Sequence, residues 1–161
     1  MGIHIRRVVE QDYQVYCDLF YEINELHRLA LPGIFQQPTG SIMEQEYFLS
    51  LLKNEQVAIF FACLESTGQV VGLVAVLIRE SSPNPVLVPR SYAVVDTLAV
   101  RPAFHRKGVG RALMHEAEEW AASQGVDVVE LNVFEFNQSA QAFYQRMGYA
   151  TFNRKMSKKL A

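Results

Sequence analysis

With 161 residues, of which 50% are hydrophobic and 20% charged, the chain has the length and balance of one soluble globular domain. A formal net charge of −2 at pH 7 argues against a general nucleic-acid or anionic-membrane surface. No apolar run reaches membrane-spanning length. Two cysteines without metal-ligand spacing, and no signal peptide, predict free thiols in a reducing cytoplasm.

The N-terminal part of the chain predicts one strand and two helices. Residues 3–9, Ile-His-Ile-Arg-Arg-Val-Val, predict a strand, and Asp12 is placed to cap a helix with one apolar stripe. Ser41 and Glu44 fit a capping box for a second helix that continues to about residue 53.

The remainder predicts strands and helices in alternation. In chain order these are a hairpin over 57–64 and 70–79, a strand over 91–100, a helix over 108–124, a strand over 126–134, a helix over 138–147 and a final strand over 149–158. The whole order, βααβββαβαβ, contains no repeat or linker and predicts one mixed α/β domain over residues 1–161.

The most informative segment joins the 91–100 strand to the helix after it. Residues 101–111 read Arg-Pro-Ala-Phe-His-Arg-Lys-Gly-Val-Gly-Arg, so a strand passes through glycines into a helix. Such a junction directs backbone N–H groups and the positive end of the helix dipole at one point. Arg106, Lys107 and Arg111 add positive charge there, and the segment therefore predicts a pyrophosphate-binding loop.

Two common phosphate loops do not fit these residues. Gly108 and Gly110 are too close together for a Walker-type loop, and no Lys-Ser/Thr pair follows them. A dinucleotide fingerprint needs Gly or Ala where Leu113 stands, and Glu130 lies inside the next strand rather than at its end. An NAD(P)-binding domain is therefore disfavoured.

A third design matches. The run His105-Arg-Lys-Gly-Val-Gly110 resembles the acyl-CoA loop of the GNAT N-acetyltransferases, Gln/Arg-x-x-Gly-x-Gly/Ala, with histidine at the first position. Leu98-Ala-Val-Arg-Pro102 is similar to the strand exit of that family, and residues 137–149 are similar to its second motif, Asn-x-x-Ala-x-x-(Phe/Leu)-Tyr-x-x-x-Gly-(Phe/Tyr). The resemblance implies a mostly antiparallel mixed sheet flanked by helices, in which the 91–100 and 126–134 strands splay apart.

The resemblance also implies where acetyl-CoA would bind. The pantetheine arm is expected between the splayed strands, along the backbone of Leu98, Ala99 and Val100. The pyrophosphate is expected mainly on backbone N–H groups of the loop, with space left at the glycines; the loop residues concerned are His105, Arg106, Lys107, Gly108, Val109, Gly110 and Arg111. Asn137 is expected both to cap the last helix and to face the cofactor.

Acyl transfer from a thioester to an amine requires an oriented thioester, a neutral amine and a proton for the departing thiolate. Tyr144 matches the tyrosine general acid of the resembled family. Its apolar neighbours at helical spacing, Ala140, Phe143 and Met147, equally suit a packing role, so both interpretations stay open.

Asp96 is the best candidate for the base. An acidic residue in an apolar strand is unfavourable unless it is hydrogen-bonded or useful, and strict alternation places Asp96 on one face with Leu98 and Val100. Glu130 and Glu135 are rivals, and a purely structural role for Asp96 remains an alternative.

The acceptor site is less specified. The resembled fold builds it from the first helix, the loop after it and the 81–90 loop, where this chain carries Glu22, Glu25, His27, Arg28, Phe35 and Tyr92. The leading hypothesis is an acetyl-CoA-dependent N-acetyltransferase that acts on a primary amine of a small molecule, peptide or protein, by direct attack in a ternary complex. No metal, nucleic acid or membrane is expected, and a homodimer is left open. The alternative is a non-catalytic acyl-CoA-binding module.

Overall fold

The computed structural model describes residues 1–160, in which the first nine of the ten predicted elements are present. In chain order they are β1 (Ile3–Arg7), α1 (Tyr13–Ala30), α2 (Gln45–Lys53), β2 (Val57–Leu64), β3 (Val70–Glu80), β4 (Ser91–Val100), α3 (Val109–Ser123), β5 (Val129–Leu131) and α4 (Gln138–Arg146). Within the described residues, no helix is both long and apolar enough to cross a membrane.

The strands form one sheet in the order β1-β2-β3-β4-β5. The first four pair antiparallel, and β5 pairs parallel to β4, which confirms the mixed, mostly antiparallel sheet. Helix α3 packs on one face, whereas α1 and α2 pack on the other. Because both faces are covered, β2 and the first half of β3 are buried continuously, as their unbroken apolar runs indicate.

The predicted divergence of the two central strands is present. Strand β5 pairs with β4 only from Ala93–Val129 to Val95–Leu131, while β4 continues to Val100. Beyond Val95, the side of β4 that faces β5 therefore has no strand partner. We refer to the space between the two strands as the gap.

Strand β4 contains one extra residue, Asp96. On β3, Val76 pairs with Val95 and Ala75 pairs with Thr97, so Asp96 has no partner and forms a β-bulge. After a bulge of one residue, each side chain of the strand points to the face opposite the one that strict alternation would give it.

The predicted final strand over 149–158 is wrong: the structure contains no strand there, and residues 150–160 are exposed. In an extended chain, Phe152 and Met156 would share one face with Arg154 and Lys158, and the other face would carry Asn153, Lys155 and Ser157, so neither face would be apolar enough to pack.

Two predicted helix caps are also wrong. The Asp12 carboxylate accepts hydrogen bonds from Arg6 at 2.6 and 2.8 Å and from the Val9 N–H at 2.9 Å, instead of capping α1. Helix α2 begins at Gln45 without a side-chain cap, and the Ser41 hydroxyl donates to a neighbouring backbone carbonyl.

Candidate active site

The predicted phosphate loop is a tight turn that leads directly into α3. Arg106 and Gly108 both have left-handed backbone conformations, with φ of 60° and 84°. Turns of this kind gather successive N–H groups into a concave, anion-binding surface. Gly108 occupies the cap position of α3 and has no side chain to offer, so the first N–H groups of the helix have no capping partner. The charged side chains of Arg106, Lys107 and Arg111 are exposed around this turn.

Gly110 serves helix packing. A Cβ atom on this residue would lie 3.4 Å from the Phe143 ring of α4 and 3.8 Å from the Val100 side chain. The expectation that this glycine leaves space for phosphate is therefore wrong, because its bare side faces protein. The contact brings α4 against the end of β4 and the start of α3.

The backbone of β4 offers an open edge toward the gap. The Arg101 N–H donates to the Val71 carbonyl of β3, and the Ala99 carbonyl faces β3 as well. Since backbone groups alternate along a strand, those of Leu98 and Val100 point toward the gap. Ala99, whose side chain is buried on the α1 side, is therefore not placed to contact a ligand there, contrary to expectation.

His105 closes part of this edge. Its Nε2 lies 2.7 Å from the Val100 carbonyl oxygen, within hydrogen-bond distance, although the side chain is exposed. The replacement of Gln or Arg by histidine was visible in the sequence, but the contact was not, because it depends on how the turn folds back.

Asp96 lies exposed at the bulge, and the Thr97 hydroxyl donates to its Oδ2 at 3.3 Å. Asp96 directly follows Val95, which packs in the core beneath α3, so Asp96 points to the α1 face of the sheet. Burial raises the pKa of Tyr16 on α1, and the charge of Asp96 contributes to the same shift. Leu98 and Val100 pack toward the α3 face instead. The alternation that grouped the three residues is wrong because it ignored the bulge. The position suits proton exchange with an acceptor bound on the α1 side.

Tyr144 is half-buried on α4, edge-on to Phe143 and Tyr149, with ring centroids 5.2 and 5.8 Å away. Burial raises the pKa of Tyr144 to about 12, so the hydroxyl stays protonated at neutral pH. Among residues 1–160, no group accepts a hydrogen bond from this hydroxyl. Asn137 caps α4 as predicted, since its Oδ1 accepts the Ala140 N–H at 3.1 Å.

The rival carboxylates are placed differently. Glu130 is paired with Arg90 at 2.7 Å, so it is already engaged, whereas Glu135 is exposed in the segment between β5 and α4. On α1, Glu25 forms a two-bond pair with Arg28 at 2.7 and 2.8 Å. The Arg90 guanidinium lies over the Tyr92 ring, 4.4 Å from its centroid.

An unpredicted group of four rings connects α1 to the segment after β5. His27 lies 5.2, 5.4 and 5.8 Å, between ring centroids, from Phe35, Phe134 and Phe136. We call these four residues the aromatic cluster. Sequence analysis had named His27 and Phe35 but not the two later phenylalanines, because no local pattern indicates that segments about a hundred residues apart meet.

Comparison with known proteins places these features in a family. Residues 20–149 match the family model described as the acetyltransferase (GNAT) family. An uncharacterised N-acetyltransferase of Methanocaldococcus jannaschii is 36% identical over 103 residues, 64% of this chain. The uncharacterised N-acetyltransferase YhfO of Bacillus subtilis is 26% identical over 91% of this chain and 89% of its own length. The chain spans less than half of the first curated relatives that it matches, for example 43% of the archaeal protein and 47% of YdgE of Bacillus subtilis.

Solved structures share the fold. A mutant Bacillus halodurans protein superposes with a TM-score of 0.91 at 22% identity, over 98% of this chain and 99% of that one. An aminoglycoside antibiotic 6′-N-acetyltransferase of Acinetobacter baumannii gives a TM-score of 0.74 at 18% identity, over 99% of both chains. At these identities the likeness concerns the fold alone.

Proposed function

The chain belongs to the GNAT acetyltransferase family, and on this basis we propose that it transfers the acetyl group of acetyl-CoA to a primary amine, by direct attack in a ternary complex. One observation supports this above the others: an uncapped helix N-terminus with a left-handed turn lies at the end of an open strand edge. The two sites suit the two chemically different parts of CoA, a charged pyrophosphate and an arm of amide groups. In this proposal the chain acts as one catalytic domain in the cytoplasm and uses no metal.

The geometry of the loop and of the edge supports a particular set of binding residues. Backbone N–H groups from Arg106 to Arg111 would hold the pyrophosphate, and the exposed Arg106, Lys107 and Arg111 side chains would add attraction. The free backbone groups of Leu98 and Val100 would pair with pantetheine amides as an added strand does. The His105 ring must leave the Val100 carbonyl for this pairing to form.

The chemical step needs three proton transfers. Asp96, exposed on the α1 face, would accept the first ammonium proton directly or through water. The free amine then attacks the thioester carbonyl carbon, the carbon–sulfur bond breaks, and the nitrogen releases its second proton to solvent to give the neutral amide. The Tyr144 hydroxyl, protonated at neutral pH, would give its proton to the departing sulfur and recover one from solvent.

Ligand-dependent stability is the first test. Acetyl-CoA at a hundredfold excess over its dissociation constant should stabilise the protein by about 2.7 kcal/mol, and NAD should leave the melting temperature unchanged. Arg111→Glu should weaken acetyl-CoA binding, whereas Lys53→Glu, the same charge reversal at the exposed end of α2, should not. Stabilisation by NAD but not by acetyl-CoA would contradict the proposed function.

Turnover is the second test. Release of the CoA thiol in the presence of a panel of primary amines, with the N-acetylated product identified by mass spectrometry, distinguishes an enzyme from a binding protein. We expect transfer to at least one amine. Acetyl-CoA binding without thiol release for every acceptor would instead favour the non-catalytic acyl-CoA-binding module.

A further inference from the structure

Helix α1 touches both segments that border the gap. Glu22 lies 3.5 Å from the guanidinium of Arg101, the residue directly after β4, and His27 packs against Phe134 and Phe136 in the segment between β5 and α4. The aromatic cluster is therefore on the α1 side of the sheet, as Asp96 is, and at the end of β5 where the gap opens. An acceptor that approaches Asp96 from this side would meet it.

The aromatic cluster keeps apolar surface in contact with solvent. Its rings pack edge to face, tilted or stacked, with centroids 5.2 to 6.0 Å apart, yet Phe134 remains 40% exposed. Leu29 and Ile34, on the two segments that carry His27 and Phe35, are 71% and 69% exposed. Rings that served only to join α1 to the β5–α4 segment would not need an exposed face, and exposed apolar surface of this kind is typical of binding sites.

The charges beside the aromatic cluster restrict the ligand further. On α1, Glu22 faces Arg101 and Glu25 is bonded to Arg28, so neither offers a free carboxylate to a cation. Glu135, exposed between the two phenylalanines, makes no ion pair within residues 1–160. Because Asp96 takes the reacting ammonium in the proposed function, Glu135 is one further free carboxylate beside apolar rings, and this is not the cluster of acids that would favour a polycation.

We propose that the aromatic cluster selects the acceptor, and that the acceptor is a primary amine that carries an aromatic group. This inference rests on the proposed function. The aromatic group of the acceptor packs on the exposed ring of Phe134, where edge-to-face or offset contacts add to the burial of apolar area. Its amine then points toward Asp96.

Calorimetric titration of the CoA-bound protein tests this with three probes: 2-phenylethylamine, 2-cyclohexylethylamine and putrescine. We expect 2-phenylethylamine to bind tightest and putrescine at least tenfold more weakly. Phe134→Ala should weaken binding of 2-phenylethylamine about tenfold, the loss of roughly 1.4 kcal/mol of ring contact. Phe134→Leu, which keeps an apolar side chain, should give a smaller loss. Phe152→Ala, which removes an exposed ring outside the aromatic cluster, should leave the affinity for 2-phenylethylamine unchanged.

The outcomes separate the two proposals. If 2-phenylethylamine does not bind, or if it binds equally to wild type and Phe134→Ala, the inference is overturned. A protein that acetylates putrescine but ignores 2-phenylethylamine retains the proposed function and loses this inference. A protein that binds no acetyl-CoA loses the proposed function and, with it, the role of acceptor site for the aromatic cluster.

Discussion

Tyr144 and Tyr149 are adjacent rings with different hydroxyl environments. The Tyr149 hydroxyl donates to Glu118 at 2.7 Å, and burial, followed by that bond to a carboxylate, raises its pKa. The Tyr144 hydroxyl has no such partner among the described residues. A hydroxyl already bonded to a carboxylate serves structure, whereas a protonated hydroxyl without a partner is available to a departing thiolate.

Substitution by phenylalanine should affect these two tyrosines differently. Tyr144→Phe should lower kcat by about a hundredfold or more while acetyl-CoA affinity and melting temperature persist, because only the proton is removed. Tyr149→Phe should retain kcat but lose about 1–2 kcal/mol of stability, the contribution of a hydrogen bond to a charged group. Steady-state kinetics and thermal unfolding of both variants measure this.

Wild-type turnover by Tyr144→Phe would contradict the role of Tyr144 as a general acid. If Tyr144→Phe turns over at the wild-type rate, the residue is a packing residue, as its helical spacing allows, and the thiolate leaves with solvent protonation. Equal effects of both substitutions on kcat would point to a shared influence on the position of α4 instead.

Among the secondary-structure elements, β4 has an open edge, and the His105 ring occupies one hydrogen-bonding position of that edge. Its hydrogen bond to the Val100 carbonyl must be exchanged before an extended ligand can pair there. His105→Ala removes the competitor, and CoA should then bind about three- to tenfold more tightly, the range of one exposed hydrogen bond. Calorimetric titration with CoA measures the change.

His115→Ala is the matched control for this edge, because it removes an exposed histidine from the outer surface of α3. It should leave CoA affinity unchanged. Weaker binding by His105→Ala would show that the ring contacts the cofactor and does not obstruct it.

Element positions follow from sequence wherever the signal is local. Strands β2 and β4 were predicted at their observed bounds, since β-branched runs ended by turn residues need no distant information. The predicted 126–134 strand is reduced to Val129–Leu131, because its length depends on where β4 diverges from it. The final strand failed for a related reason: apolar residues alone do not specify a pairing partner.

The candidate site was predictable in part. The turn before α3 and the start of α4 were predicted at the observed places, because glycine positions and the Asn137 cap are local signals, and the ligand of the loop stays a prediction. The bulge at Asp96 was not, since it is defined by pairing with β3. The aromatic cluster likewise depends on tertiary contact between distant segments.

At the scale of the whole molecule, the Arg6–Asp12 pair ties β1 to the start of α1. The Asp12 side chain is 11% exposed. The hydrogen bond from Arg6, together with one from the Val9 N–H, lowers the pKa of Asp12 in the folded state. A carboxyl whose pKa is lower in the folded than in the unfolded state stabilises the fold at every pH above its pKa in the unfolded chain, which is about 4. That contribution disappears as the pH falls through the lower, folded value.

Asp12→Asn should therefore lower the free energy of unfolding by about 2–3 kcal/mol at pH 7. The difference from wild type should start to narrow below about pH 4, where the carboxyl of the unfolded chain takes up a proton, and should close once the pH falls below the lower pKa of the folded state. Urea unfolding at several pH values measures both. Asp18→Asn, an exposed carboxylate on α1 bonded only to Gln14, should behave as wild type throughout. A deficit that stays constant at all pH values would contradict the electrostatic origin.

The bulge also has a consequence for how this protein can change in evolution. Because Asp96 is one residue in excess, Leu98 and Val100 enter the core beneath α3, while Ala99 enters the core beneath α1. Deletion of that single position would place Thr97 directly after Val95, opposite Ala75 and Val76, and would leave these assignments unchanged. Insertion of one residue elsewhere in the strand would instead turn large side chains toward space built for small ones. We therefore expect position 96 to be the place in β4 where descendants of this gene can lose a residue and keep the core, with loss of the exposed carboxylate, while other changes of length accumulate in the loops.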